Sequence, residues 1–214
     1  MKEILYILFG WILGIVNYYV LRRVERKRKI QDFTTGLLEE LKEILPVIAS
    51  VRFSIQSSLG EGNSETVAWV RNAIAAGKKD LLDPQMIEFF EKLVTFAGDD
   101  IKILSTLLKA NPTKGKGFKK YHLPFLDTNI NMVPLLDIGL QGAIFKIRRC
   151  FDMLEQEIDM YNFYFRKTFD PASMDVNSDI LKENQRSCYK SISNICFQAG
   201  NHITSLIKTL ETQK

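Results

Sequence analysis

An apolar segment near the N-terminus, Ile4–Leu21, reads ILYILFGWILGIVNYYVL and has Asn17 as its only strongly polar side chain. As a helix rising about 1.5 Å per residue it covers roughly 27 Å, close to the roughly 30 Å hydrocarbon core of a bilayer. A helix that is apolar on every side is stable only in lipid or inside a large protein. The segment therefore predicts a single transmembrane helix, with Tyr18 and Tyr19 in the headgroup layer at one end.

A dense basic cluster, which we call the basic flank, follows the apolar segment at once. It consists of Arg22, Arg23, Arg26, Lys27, Arg28 and Lys29. Before the apolar segment the chain offers only Lys2, Glu3 and the terminal amine. Because cationic flanks stay on the cytoplasmic side, we expect an inner (plasma) membrane protein with its N-terminus outside and its C-terminal domain in the cytoplasm. The flank is then predicted to contact lipid headgroups, at about 1 kcal/mol per cation.

Two other interpretations of the apolar segment are weighed against the anchor. A cleaved signal peptide carries its positive charge before the apolar run and small residues at a cleavage site after it. In this chain the charge comes afterwards, and no A-x-A-like site follows. A buried core helix is the second alternative, but about eighteen apolar residues is long for one. The membrane anchor is therefore the favoured interpretation.

Gly10 and Gly14 form a G-x-x-x-G pair within the anchor. This spacing places both glycines on one helix face and lets two transmembrane backbones approach closely. Asn17 lies three residues beyond Gly14 and is placed to form a hydrogen bond across the same contact. These residues predict association of two anchors, although glycine is also simply common in transmembrane helices.

The sequence divides into an anchor with its flank, residues 1–29, and one domain, residues 30–214, which is long enough for a sizeable core. Seven cations and two anions lie in residues 1–30, so the rest of the chain carries a net charge of −1 within the total of +4. The positive charge belongs to the membrane flank. A nucleic-acid partner is therefore not expected.

Apolar residues at spacings of three and four predict helices throughout the domain. The predicted helices cover Ile30–Leu59, Ser64–Ala76, Asp83–Leu108, Val133–Phe165 and Asn177–Thr212. We expect the first of them to continue the anchor as one rod, kinked at Pro46. Ser64 is the predicted N-cap of the short second helix, and Gly77 is its predicted end. Asp170-Pro171 is predicted to end the fourth helix.

No segment alternates with period two, so we expect an all-α protein. The predicted fold is an N-terminal single transmembrane helix that continues into an antiparallel cytoplasmic bundle of three to four long helices with one short helix. The direction of the short helix stays open. If it and the Asp83 helix together run antiparallel to the first helix, the loop that follows returns to the membrane. If the short helix doubles back alone, that loop points into the cytoplasm.

That loop, which we call the lysine loop, covers Asn111–Leu123 and carries Lys114, Lys116, Lys119 and Lys120 among two glycines and three aromatic residues. Ammonium groups and exposed backbone amides suit phosphate, so the loop is a candidate anion-binding site. The alternative is a flexible, solvated loop with no ligand.

Signatures of catalysis or cofactor binding are missing from the sequence. It has no H-E-x-x-H, no phosphate-binding glycine motif and no G-x-S-x-G. His122 and His202 lack the acidic neighbours of a di-iron bundle, and His202 falls on an apolar seam that favours a hydrogen-bonded core histidine. We therefore expect a protein that is not an enzyme and binds no metal or cofactor. Its three cysteines, two of them eight residues apart on one predicted helix, fit a reducing compartment.

These observations predict a membrane-anchored adaptor or scaffold that binds an unknown protein partner or associates with itself as a homo-oligomer. The first alternative is a membrane-active effector of the toxin or phage-defence type, whose anchors oligomerise and disrupt the membrane. The second is a sensor that binds an anionic ligand at the lysine loop. The sequence leaves these three classes open.

Overall fold

The computed structural model describes residues 2–78, 85, 88–89, 92, 118–169 and 178–212, with side chains from Phe9 onward. Its α-helices are α1 (Lys2–Leu59), α2 (Ser64–Ala76), α3 (Pro124–Thr128), α4 (Ile138–Lys167) and α5 (Ser178–Thr212), and a 3-10 helix covers Ile130–Leu135. No strand occurs in these described residues. The prediction of an all-α bundle is confirmed.

Helix α1 is one uninterrupted helix of 58 residues, about 87 Å long. The prediction that the N-terminal segment and the first bundle helix form one rod is therefore confirmed. The first buried side chain from Phe9 onward is Phe33, and every residue from Phe9 to Lys29 is exposed. About half of α1 thus projects beyond the bundle.

Pro46 lies inside α1 without breaking it. A proline has no amide hydrogen, so the carbonyl of Lys42, one turn earlier, loses its normal helical partner. The Lys78 amide donates to that carbonyl oxygen at 2.7 Å. Gly77 makes the approach possible, because a Cβ at this position would overlap the Pro46 ring. The proline therefore creates an attachment point for the chain that follows α2.

Helix α5 is the central helix and packs against both α1 and α4. Gln56 of α1 donates to Ser193 of α5 at 2.8 Å, and Lys42 pairs with Glu211 at 2.6 Å, so later residues of α5 meet earlier residues of α1. The hydroxyls of Tyr161 and Tyr189, 3.1 Å apart, join the end of α4 to the beginning of α5. Helix α5 therefore runs antiparallel to both neighbours, as predicted for an antiparallel bundle.

Helix α2 doubles back along α1, which settles its direction. Its last turn meets Pro46 and Lys42, and Trp69 at its centre donates to Asn201 of α5 at 2.7 Å. The prediction of Ser64 as N-cap was wrong by one residue. Asn63 is the cap, and its side chain accepts from the Thr66 amide at 2.8 Å. The Asn63 carbonyl oxygen also accepts from Val67, so Ser64 already lies inside the helix.

Helix α3 lies across α1 and has no capping side chain of its own. Glu40 of α1 takes that role, since its carboxylate accepts from the amides of Phe125 at 2.6 Å and Leu126 at 3.0 Å. The Phe125 ring lies where a Cβ on Gly36 would otherwise be, and it stacks on Phe33. Glycine at position 36 thus permits the close approach of the two helices.

The predicted start of the fourth helix at Val133 was wrong. Val133 and Leu136 are buried as the seam pattern requires, but they belong to the 3-10 helix and the residue after it. Asp137 is the true N-cap of α4 and accepts from the Leu140 amide at 2.9 Å. Apolar spacing of three to four cannot distinguish a 3-10 turn from the first turn of an α-helix.

Some predictions fall on residues outside the described ranges. The first is the course of the Asp83–Leu108 helix, of which only residues 85, 88, 89 and 92 are described, and these are helical. The second is the role of Asp170-Pro171 in ending the fourth helix. The predicted end of the second helix at Gly77 and the extent of the last helix, now Ser178–Thr212, are confirmed.

Candidate membrane-proximal site

The projecting half of α1 exposes apolar side chains on all sides. Every large apolar side chain from Phe9 to Val24 is between 46% and 73% exposed, with Ile15 lowest and Trp11 highest. A soluble monomer rarely exposes a contiguous apolar patch of more than about 300–600 Å². This surface therefore calls for a partner, whether lipid or protein. Among the described residues, no helix combines the length and apolar character needed for a membrane crossing.

Gly10, Gly14 and Asn17 lie in this projecting half. Among the described residues, a Cβ added at either glycine would meet nothing within 4 Å, so both face open space there. Positions 10, 14 and 17 fall on one helix face because their spacings are four and three. The described part of the chain thus leaves the predicted association face uncovered.

The basic flank follows on the same helix. All six of its cations are exposed, and Arg28 makes a 4.0 Å pair with Asp32. The Arg22 guanidinium lies over the Tyr18 ring at 5.8 Å. The flank forms a cationic collar between the exposed apolar half of α1 and the first buried residue of the bundle.

The lysine loop is described only from Phe118 onward, so Lys114 and Lys116 lie outside the described residues. Lys119 is exposed, and the Lys120 ammonium binds Glu155 and Asp159 at 2.8 Å each. These hydrogen bonds, first to Asp159 and then to Glu155, raise the Lys120 pKa. Lys120 is therefore already engaged by carboxylates.

The position of the loop follows from its aromatic neighbour. Phe118 packs edge-on against Tyr161 and Tyr189, which lie at the end of the bundle away from the basic flank. The described start of the loop therefore lies at that far end, whereas its last residue, Leu123, leads directly into α3 against α1.

Arg52 is a partly buried cation of α1 that packs against side chains of α2 and α5. Its guanidinium lies 4.1 Å from the Phe197 ring centroid and 5.0 Å from that of Trp69. Its Nε and Nη1 atoms are buried and find no hydrogen-bond partner there. Burial lowers the Arg52 pKa. The stacking joins α1, α2 and α5, and the sequence pattern gave no signal for it.

Helix α4 exposes four apolar side chains on a face that it shares with Arg149, Asp152 and Gln156. These four, spaced eight, seven and three residues apart, are 40% to 54% exposed: Phe145, Met153, Met160 and Phe163. These spacings keep them within one face of the helix. Met and Phe are enriched in protein interfaces, so this stripe is a candidate surface for a protein partner.

The three cysteines are free and buried. Burial raises the pKa of Cys188 to about 11 and that of Cys196 to about 12, which keeps both as unreactive thiols. His202, predicted as a core histidine, is partly buried on α5. In the described ranges no group of His, Cys, Asp or Glu side chains could hold a metal ion.

Comparison with known proteins gives no further guide to function. No protein-family model, no curated protein and no solved structure matches this chain.

Proposed function

We propose that this protein is a single-pass protein of the inner (plasma) membrane whose bundle lies in the cytoplasm and acts as an adaptor or scaffold. The observation that carries the proposal is the projecting half of α1, where apolar side chains are exposed on all sides and a cationic collar follows. The proposed span, Ile4–Leu21, includes residues 4–8, whose side chains lie outside the described part.

Lipid accounts for both features at once. A bilayer would cover the apolar half of α1, and its anionic headgroups would attract the collar. The bundle would then stand directly on the membrane surface, because α1 is continuous from one into the other. In this position the apolar stripe on α4 gives the bundle a surface for a protein partner.

Membrane extraction tests the anchor. We expect the full chain to stay with membranes after alkaline carbonate washing and Ile12→Lys with Val16→Lys to be released, because each central lysine costs about 2.5–3.5 kcal/mol in the bilayer. The control is Ile12→Leu with Val16→Leu, which changes the same positions without charge. Release of the wild-type chain by carbonate would refute the anchor.

Self-association through Gly10 and Gly14 is the proposed mode of assembly. Crosslinking in membranes should yield dimers or higher oligomers for the wild-type chain, and Gly10→Leu with Gly14→Leu should reduce them. The control, Ile12→Leu with Val16→Leu, has the same spacing on the opposite helix face. If both double variants crosslink equally, the glycine face is not the interface.

A membrane-active effector is the second candidate, because the glycine face is open in the single chain. This class predicts dye entry into cells that overexpress the full chain, and its loss in Gly10→Leu with Gly14→Leu. Intact membranes at high expression would leave the adaptor proposal in place and remove the effector.

A further inference from the structure

The outward side of α4, which we call the α4 face, extends along nearly the whole helix. Eight exposed residues form it, from Ile138 to Phe163, at successive spacings of four, three, four, three, four, four and three. These spacings keep all eight on one side of an α-helix, in a strip about 38 Å long. Spacing of three and four is also the pattern by which one helix packs along another. The α4 face therefore has the form of a helix-packing surface.

Two opposite charges lie at the centre of the α4 face. They are Arg149 and Asp152, and both side chains are exposed. The ion pairs that α4 makes with other described elements involve Arg148, Glu155 and Asp159 instead. Arg149 and Asp152 are therefore available to charged groups outside the described chain.

The order of these charges favours one orientation of a second copy. In a parallel pair each residue faces its own counterpart, so Arg149 would oppose the partner's Arg149 and Asp152 the partner's Asp152. In an antiparallel pair with its two-fold axis midway between the two residues, Arg149 lies opposite the partner's Asp152, and the reverse contact forms as well. The charges thus repel in the parallel pair and attract in the antiparallel pair.

The rest of the α4 face also matches itself in the antiparallel register. Three further pairs lie opposite one another on each side of the axis: Phe145 with Gln156, Gly142 with Met160, and Ile138 with Phe163. A Cβ at Gly142 would meet nothing within 4 Å, so this glycine leaves room for the long methionine side chain. Ile138 and Phe163, 86% and 54% exposed, would cover each other at both ends of the contact.

We propose that the α4 face binds the α4 face of a second copy of this chain in antiparallel orientation. The inference rests on the proposed scaffold function, since it names the partner for the α4 surface. Helix α4 runs parallel to α1, because α5 is antiparallel to both, so the projecting helices of such a pair point in opposite directions. With the proposed anchor, the pair links chains of two opposed membranes, whereas the glycine face joins chains within one membrane.

Charge reversal at the centre tests the pairing. All proteins are full chains in neutral detergent that also carry Gly10→Leu with Gly14→Leu, so that the anchors do not contribute. Sedimentation velocity measures the dissociation constant of the dimer. Arg149→Asp and Asp152→Arg should each weaken the dimer about tenfold, because two attractions become two repulsions. The matched control is Arg186→Asp, which makes the same charge change at an exposed position of α5 and should have no effect.

Two rescues test the antiparallel register. Arg149→Asp with Asp152→Arg in one chain should restore the dimer, because the two charges only exchange places. An equimolar mixture of the two single variants should form a heterodimer that is tighter than either homodimer. The proposal is overturned if the double variant dimerises no better than the single variants. It is also overturned if the protein with Arg149 and Asp152 intact stays monomeric at about 100 μM, where a contact of micromolar affinity would be populated.

Vesicle clustering tests the link between opposed membranes. Liposomes that carry the chain with intact Arg149 and Asp152 should cluster, which dynamic light scattering detects as a larger apparent size. Arg149→Asp should abolish the clustering, and Arg149→Asp with Asp152→Arg should restore it. If all three proteins leave the vesicles dispersed, the link between membranes is refuted.

Failure of the α4 pairing and failure of the proposed function give different results. If the chain resists carbonate extraction but Arg149→Asp dimerises as well as Arg186→Asp, only the α4 pairing is wrong. If carbonate releases the wild-type chain but the charge reversals and rescues behave as expected, the anchor is wrong. The α4 pairing then stands as a contact between bundles, without the link between membranes.

Discussion

Glu40 shows how a single side chain can organise a distant part of the chain. Its carboxylate accepts two backbone amides of α3, 85 and 86 residues later in the sequence. Burial raises its pKa above the usual value of 4.5, against the opposite effect of the two hydrogen bonds. The folded state therefore disfavours the very charge that caps α3.

The sign of the pH dependence at Glu40 follows from this pKa. Between pH 4.5 and the raised value, the folded state binds a proton that the unfolded state has lost. The contribution of Glu40 to stability is therefore fully present below pH 4.5 and is lost as the pH rises through the raised pKa. We expect the free energy of unfolding of the wild-type chain to fall, relative to Glu40→Gln, as the pH rises from 4.5 to 7.

Urea unfolding of both proteins in mild detergent across this pH range measures the effect. At pH 7 Glu40→Gln removes the unfavourable buried charge, but it also loses one amide hydrogen bond, worth about 1 kcal/mol. These two changes in the free energy of unfolding partly offset each other. Glu183→Gln, on an exposed position of α5, is the control and should show no such trend. If the free energy of unfolding of the wild type instead rises relative to that of Glu40→Gln as the pH increases, the assignment is contradicted.

Residues of this kind explain what the sequence could not reveal. Phe33, Leu37 and Leu41 lie four residues apart, a spacing that predicts one buried helix face, and all three are buried. Glu40 lies one residue from that stripe and reads as a solvated helix residue. Its partners, Phe125 and Leu126, become neighbours only when the bundle forms. Long-range polar contacts leave no periodic signal.

At the scale of elements, Pro46 has a second role besides the kink that its sequence position predicts. The proline frees the Lys42 carbonyl, which then accepts the Lys78 amide. The Lys78 ammonium also binds Glu39 and Glu43 on the same face of α1. From the sequence alone, Pro46 indicates only that a backbone donor is missing. The amide that donates instead belongs to Lys78, 32 residues later, so the contact could not be predicted.

Pro46→Ala tests this role. The new amide should bond to the Lys42 carbonyl within α1 and displace the Lys78 amide. We expect Lys78 to exchange its amide hydrogen about five times faster, as for the loss of roughly 1 kcal/mol of hydrogen bonding. Hydrogen–deuterium exchange measures it, and the Gly77 amide, bonded inside α2 to Ala73, is the internal control. An unchanged rate at Lys78 would show that the carbonyl contact is unimportant.

At the scale of the whole molecule, the fold was largely predictable and the candidate site only in part. Long amphipathic stripes at helical spacing leave few arrangements besides an antiparallel bundle, and their seams supplied the buried residues. The stacking of Arg52 could not be predicted, because its partners Trp69 and Phe197 lie on two other helices. The direction of α2 was equally undetermined, since either orientation buries Val67 and Val70.

If the proposed anchor spans the membrane, the continuous α1 makes the orientation of the whole molecule depend on the basic flank. A rigid connection leaves the bundle on whichever side the flank is retained, and cations within about 15–20 residues of a span set that side.

Protease added to intact spheroplasts should therefore spare a C-terminal tag, whereas protease added to inverted membrane vesicles should remove it. Changing all six flank cations to glutamine should give a mixture of orientations. The control changes Lys114, Lys116, Lys119 and Lys120, which lie more than 90 residues beyond the span, and should keep the wild-type pattern. Removal of the tag from wild-type protein in intact spheroplasts would place the bundle outside the cytoplasm and overturn the charge argument.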